Sequence, residues 1–223
     1  MNEFLWLITL LVSFTSVILC YKFLGKTGLF IWIAIATIIS NIQTVKLVNL
    51  FGIETSLGTI LYGSTFLATD ILNLKYGEKT AKKSIPVGFI AMVLMTILMT
   101  IALVYNPSIN DFSQESLKTI FTINIRITIA SLIAFSISQF IDTIVFARLH
   151  KKYKKLWLSN NASTIFCQLI DTIIFCLITY YGTVDFKTVI EIMLSMYIFK
   201  VAIALLDTPF AYISAKIKNV NEY

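Results

Sequence analysis

Seven long apolar runs, at residues 4–20, 29–51, 57–74, 85–105, 120–147, 162–181 and 189–213, leave this chain little room for a water-soluble fold. A helix needs roughly 20 mostly apolar residues to cross the hydrocarbon core of a bilayer, so the runs consume most of the 223 residues. Hydrophobic residues make up 57% of the chain and charged residues 13%, and the mean hydropathy is +0.83. Soluble domains carry about 25% charged residues; with so few here, lipid must solvate part of the apolar surface. The expected fold class is all-α: a polytopic transmembrane helix bundle of about seven spans, with six as the alternative, in a single domain over residues 1–223.

The charged residues sit between the runs and alternate in sign along the chain. Lys22 and Lys26 follow the first run and Glu54 the second. Lys75, Lys79, Lys82 and Lys83 follow the third, Asp111 and Glu115 the fourth, and Arg148, Lys151, Lys152, Lys154 and Lys155 the fifth. Asp185 and Lys187 follow the sixth, and Lys216 and Lys218 the last. Cationic loops stay on the cytoplasmic side of a membrane. The alternation therefore predicts a multi-pass protein of the bacterial cytoplasmic membrane with its N-terminus outside and its C-terminus inside. The net charge of +6 is topological on this reading and calls for membrane lipids, with no nucleic acid. The opening Met1-Asn2-Glu3 has no basic segment and no small-residue cleavage site follows, so the first run reads as a retained span. The third run carries Gly58, Gly63 and Asp70 and is expected to be broken or re-entrant. The fifth is long enough to tilt or to extend past the bilayer, and Pro209 is expected to kink or end the last. Cys20, Cys167 and Cys176 form no metal-ligand spacing and read as small buried hydrophobes.

Charges at membrane depth cost a few kcal/mol each and face cavities or partners. The candidates are Asp70, Arg126, Asp142, Asp171, Glu191, Lys200 and Asp207. Two of them lie in a repeat. Residues 139–146, QFIDTIVF, reappear as residues 168–175, QLIDTIIF, on the next span. Consecutive spans run antiparallel, so the copies hint at inverted pseudo-symmetry around a shared site. In each copy Gln, Asp and Phe (Gln139, Asp142, Phe146 and Gln168, Asp171, Phe175) share one helical stripe. A related stripe holds Tyr62, Phe66, Asp70 and Asn73. A carboxylate accepts two parallel hydrogen bonds, an amide both donates and accepts, and a ring stacks. That set suits a small, flat, purine-like base, and it equally suits helix–helix glue. Substrate binding is thus expected from Asp142, Asp171, Gln139, Gln168, Asp70, Asn73, Phe66, Phe146 and Phe175. Lys200, Asp207 and Arg126 are expected in gating or coupling. No metal-binding, phosphate-loop or hydrolase motif is present, and no cofactor is expected.

At these residues the chain resembles the bacterial queuosine precursor transporter family. The matching stretches are Thr69-Asp70-Ile71-Leu72-Asn73 with Tyr76-Gly77 and Ala81, Arg126 with Ala130-Ser131, and Gln139 with Asp142. They continue through Trp157-Leu158, Ser163-Thr164, Gln168-Leu169-Ile170-Asp171-Thr172 and Phe175 to Lys200 and Asp207-Thr208-Pro209. The resemblance covers roughly residues 58–212. It implies uptake of a 7-deazaguanine base such as preQ0 or preQ1 for tRNA modification, by a protein that is not an enzyme. Two positions depart from the pattern: Leu74 stands where the family carries Glu, and Ser159 follows Leu158 where the family carries Arg. Two other readings stay open. One is a substrate-binding subunit of an energy-coupling-factor importer, docked to a separate ATPase module through the small residues Ala34, Ala36 and Ser40. The other is an intramembrane enzyme using paired aspartates. A homo-oligomer is compatible with any of them.

Overall fold

The computed structural model describes residues 1–44, 46–121, 125–182 and 185–218; the side chains of residues 47, 54 and 125–127 lie outside that description. In chain order the elements are α1 (Asn2–Thr44), β1 (Leu47–Leu50), β2 (Ile53–Ser56), α2 (Thr59–Tyr76), α3 (Glu78–Lys82), α4 (Ser84–Val104), α5 (Gln114–Phe121), α6 (Ile125–Tyr153), α7 (Leu156–Tyr180) and α8 (Phe186–Lys216). Five stretches are long and apolar enough to cross a bilayer: Asn2–Thr44, Glu78–Val104, Thr128–Tyr153, Leu156–Tyr180 and Phe186–Lys216.

The 43 residues of α1 would reach about 64 Å as a straight helix, yet its ends meet. The Asn2 side chain donates to the Asn49 carbonyl at 3.1 Å, and the Phe51 amide donates to Glu3. The reversal is at Gly25, whose φ of 58° and ψ of −136° are non-helical and open to glycine without a side-chain clash. The two arms then press together so closely that a Cβ on Gly28 would stand 2.1 Å from the Cys20 carbonyl oxygen. The first two apolar runs are therefore a helical hairpin, which agrees with two antiparallel spans.

The third run is one unbroken helix, α2, and the expectation of a broken or re-entrant element is corrected. Its 18 residues reach about 27 Å, close to a hydrocarbon core of roughly 30 Å. It escapes the apolarity criterion because it is the centre of the bundle: its buried residues include Ser64, Thr65, Thr69, Asp70 and Asn73 as well as Phe66 and Leu67. No lipid contact demands apolar side chains there. The second run stops being helical at Thr44, and residues 47–56 form a small antiparallel hairpin pairing Val48 with Thr55. Pro209 neither ends nor caps α8, which continues to Lys216. Neighbouring helices let a bundle tolerate such a proline. The 29 residues of α6 reach about 43 Å, longer than the hydrocarbon core.

Polarity is arranged as a membrane requires. Ile90, Leu94, Leu98 and Ile101 on α4, Ile133 and Ile137 on α6, and Leu194, Ile198 and Leu205 on α8 are exposed, whereas Ser138, Asp142, Ser163 and Asp207 are buried. The two ends of the bundle differ in charge. At one end Tyr21 donates to the Ile217 carbonyl, Lys75 donates to the carbonyls of Ala215 and Ile217, and the Trp157 amide meets the Tyr212 hydroxyl. These contacts gather Lys22 and Lys26, the lysines of residues 75–83, the 148–155 loop and Lys216 with Lys218 at one basic end. The hairpin, with Glu3 beside it, marks the opposite end.

A buried ion pair beneath a polar cleft

A buried polar cluster is built from four helices. Asp171 of α7 is 3% exposed and Lys200 of α8 is 4% exposed, and Lys200 Nζ donates to Asp171 Oδ2 at 2.5 Å. Among the described residues this is the one ion pair buried on both sides. The other carboxylate oxygen accepts from the Tyr62 hydroxyl of α2 at 2.5 Å and from the Ser138 hydroxyl of α6 at 3.1 Å. The Lys200 ammonium also lies 5.4 Å from the centre of the Tyr62 ring, in range of a cation–π attraction. Burial of two charges is costly unless their lone pairs and protons are used; three donors here satisfy both carboxylate oxygens and leave about one of the four lone-pair sites open.

Above the pair a cleft runs toward the hairpin end. Asp171, Lys200 and Tyr62 form its floor. Phe135 and Phe175 give aromatic walls, and Thr37, Ser40, Asn41 and Thr44 of α1 line one side with hydroxyl and amide groups. Among the described residues the Asn41 amide nitrogen meets the Met92 sulfur at 3.0 Å. Such a surface combines rings for stacking with a few fixed donors and acceptors.

The residues singled out in the sequence divide between this cleft and the core below it. Asp171, Phe175 and Lys200 line the cleft. Gln139 is buried and donates to the Thr65 hydroxyl at 3.0 Å, and Asn73 donates to the Thr143 carbonyl at 2.7 Å. Gln168 is buried beside them in sequence register, with its side-chain oxygen unpaired among the described residues. Asp70 accepts from Thr164 at 3.4 Å and Asp207 from Asn160 at 2.6 Å. Asp142 is fully buried. Phe66 packs edge-on against Tyr62, and Phe146 stacks on His150. Arg126 lies in α6 with its side chain outside the described residues, and Glu191 is exposed beside Lys187. The proposed docking residues Ala36 and Ser40 are buried, Ser40 in the cleft wall.

Sequence reasoning did not include Ser138, Phe135 or the α1 wall in the site. The α1 residues carried a signal: Thr37, Ser40, Asn41 and Thr44 recur at the spacing of one helical face, a polar stripe inside an apolar run. The repeat is also explained. Ser138 meets Asp171, and Asp142 stands beside Ser163 and Cys167. The antiparallel helices α6 and α7 therefore cross near Gln139 and Gln168, with Asp171 and Phe175 displaced toward the hairpin end and Asp142 and Phe146 toward the basic end.

An apolar exterior and a cleft ending on a buried ion pair fit the class of multi-pass membrane transporters. The chain belongs to the family described as "Putative vitamin uptake transporter", which it matches over residues 56–214. It is 38% identical over 218 residues to a protein of Bacillus subtilis (strain 168) named "Probable queuosine precursor transporter", covering 96% of this chain and 95% of that one. It is also 30% identical over 188 residues to the "Queuosine precursor transporter" of Escherichia coli (strain K12), covering 83% of this chain and 82% of that one. No solved structure matches the chain.

Proposed function

We propose that this chain imports a queuosine precursor, a 7-deazaguanine base such as preQ0 or preQ1, across the bacterial cytoplasmic membrane, without chemically altering it. The observation that carries the reading is the floor of the cleft. A guanine-type edge offers two adjacent N–H donors beside a carbonyl oxygen. Asp171 supplies the acceptor for the donors and Lys200 the donor for the carbonyl, while Phe135 and Phe175 flank the ring. Tyr62 and Ser138 position the carboxylate. The names of the two relatives point to the same solute. Asp142, Asp70, Gln139, Gln168, Asn73, Phe66 and Phe146 form the packed layer beneath, around which the helices rearrange to pass the base inward; Asp207 belongs to the same layer.

The test is uptake of labelled preQ1 in cells that cannot make it, with unlabelled preQ0, queuine, guanine and adenine as competitors. Expression of this chain is expected to raise accumulation at least tenfold, with preQ0 or preQ1 competing and adenine not. Equal competition by adenine would overturn the base-edge assignment. Uptake that depends on a co-expressed ATPase module would favour the energy-coupling-factor reading, and recovery of a modified base would favour an enzyme.

The gathering of the lysine-rich loops at one end supports the N-terminus outside and the C-terminus inside. A reporter fused after Tyr223 is expected to be active in a cytoplasm-dependent form, such as a fluorescent protein, and inactive as a periplasmic phosphatase. The reverse pattern would invert the orientation.

A further inference from the structure

Below the Gln139–Gln168 crossing, four helices bring a second acidic group together, to which the importer reading gives no contact with the base and no charge to carry. The Gln139–Thr65 and Asn73–Thr143 hydrogen bonds hold α2 against α6 on either side of Asp70 (α2) and Asp142 (α6) and set their carboxyl groups facing each other. Among the described residues both oxygens of Asp142 and one of Asp70 nevertheless lack a partner in good hydrogen-bond geometry, with the Ser163 hydroxyl and the Cys167 thiol standing near Asp142. Asp142 is fully buried and Asp70 is 2% exposed. Ser163, beside Asp142, donates to the Asn160 carbonyl instead, at 3.3 Å. The other titratable groups facing the pair are Asp207 of α8 and Cys167 of α7. Among the described residues no lysine, arginine or histidine forms an ion pair with Asp70, Asp142 or Asp207; Lys200, the buried cation of the bundle, is committed to Asp171.

Two adjoining buried carboxylates with no counter-cation among the described residues repel each other strongly, and a carboxyl pair of this kind is satisfied by one shared proton. We propose that Asp70 and Asp142 form a proton-binding site that couples inward movement of the base to inward movement of a proton. The carboxylate takes up one proton when the cleft side is open and releases it, unchanged in every other bond, when the basic end opens. Asp70 and Asp142 stand on α2 and α6, the helices whose Tyr62 and Ser138 bond to Asp171, and lie further toward the basic end, so a rearrangement that reaches one reaches the other. The coupling rests on the importer reading; the proton itself does not.

Two measurements test it. In purified wild-type protein at neutral pH, infrared spectra are expected to show the carbonyl stretch of a protonated carboxylic acid, lost in both Asp142→Asn and Asp70→Asn. Wild type without that band, or a band surviving in both variants, overturns the proton site. In wild-type proteoliposomes, a gradient acidic outside is expected to speed preQ1 uptake at least fivefold, and a protonophore to remove the gain. Asp142→Asn is expected to bring the ratio of uptake with and without the gradient to about one. Wild-type uptake that ignores the proton gradient, or follows a sodium gradient instead, overturns the coupling. If wild type moves no base under any gradient, the importer reading fails, and the infrared band still decides whether the proton is there.

Discussion

An Asp171→Asn chain is expected to take up preQ1 at no more than one hundredth of the wild-type rate at low substrate concentration. The amide keeps the shape of the carboxyl group and loses its charge and half of its accepting capacity. A hydrogen bond to a charged group contributes about 1.5–3 kcal/mol, and the proposed base edge makes one to the open site on Asp171 while resting against its charge. Losing about 3 kcal/mol corresponds to a factor of more than 100. Initial rates, normalised to the amount of protein in the membrane, check the prediction. A rate within threefold of wild type would remove Asp171 from the binding floor. Phe175→Ala, which removes a wall and leaves the ion pair in place, is expected to raise the half-saturating concentration about tenfold with a smaller change in maximal rate.

The second large effect is on folding. Lys200→Met is expected to lower the stability of the bundle by about 3–5 kcal/mol, because it strands the Asp171 carboxylate in a nearly dry interior. Tyr62 and Ser138 would still donate to it, which soften the loss without neutralising the charge. Replacing both partners, in an Asp171→Asn, Lys200→Met chain, is expected to recover most of that loss, since the uncompensated charge is gone. Thermal unfolding in detergent, followed for wild type, both single variants and the double variant, gives the coupling directly. A double variant less stable than either single one would show that the pair holds the helices together by more than mutual neutralisation. In either case the double variant is expected to be inactive in uptake, which separates the two roles of Asp171.

The helical bundle and the order of its segments were legible in the sequence because a bilayer admits few ways to satisfy a backbone. Each of the seven apolar runs contains a helical segment, the first two joined as one hairpin at Gly25. Where expectation and structure part, the reason is packing. The polar character of residues 57–74 suggested a discontinuity, but a helix shielded from lipid on all sides can carry Thr65, Thr69, Asp70 and Asn73 without breaking. The α1 run ended early because residues 47–56 are Val- and Ile-containing strands around Phe51-Gly52, and apolar composition alone does not tell a span from a strand at its edge. Within the candidate site, Asp171 and Lys200 stood out because buried charges are expensive. Their mutual pairing did not, since 29 residues separate them and helical spacing says nothing about which neighbour a face meets. Ser138 and the α1 hydroxyls were quieter still: a hydroxyl in a span can satisfy itself on its own backbone, as Thr37 does with Ile33 at 2.6 Å.

The octapeptide carried in opposite directions by α6 and α7 gives the centre of this protein a palindromic quality. A traveller entering from the hairpin side passes ring, carboxylate and amide on one helix before reaching amide, carboxylate and ring on the other; a traveller from the lysine side meets the same order. The scaffold therefore holds no built-in arrow at its midpoint, and any preference for inward travel must be imposed by what differs between the two halves, a lysine bound to one aspartate and none to its twin.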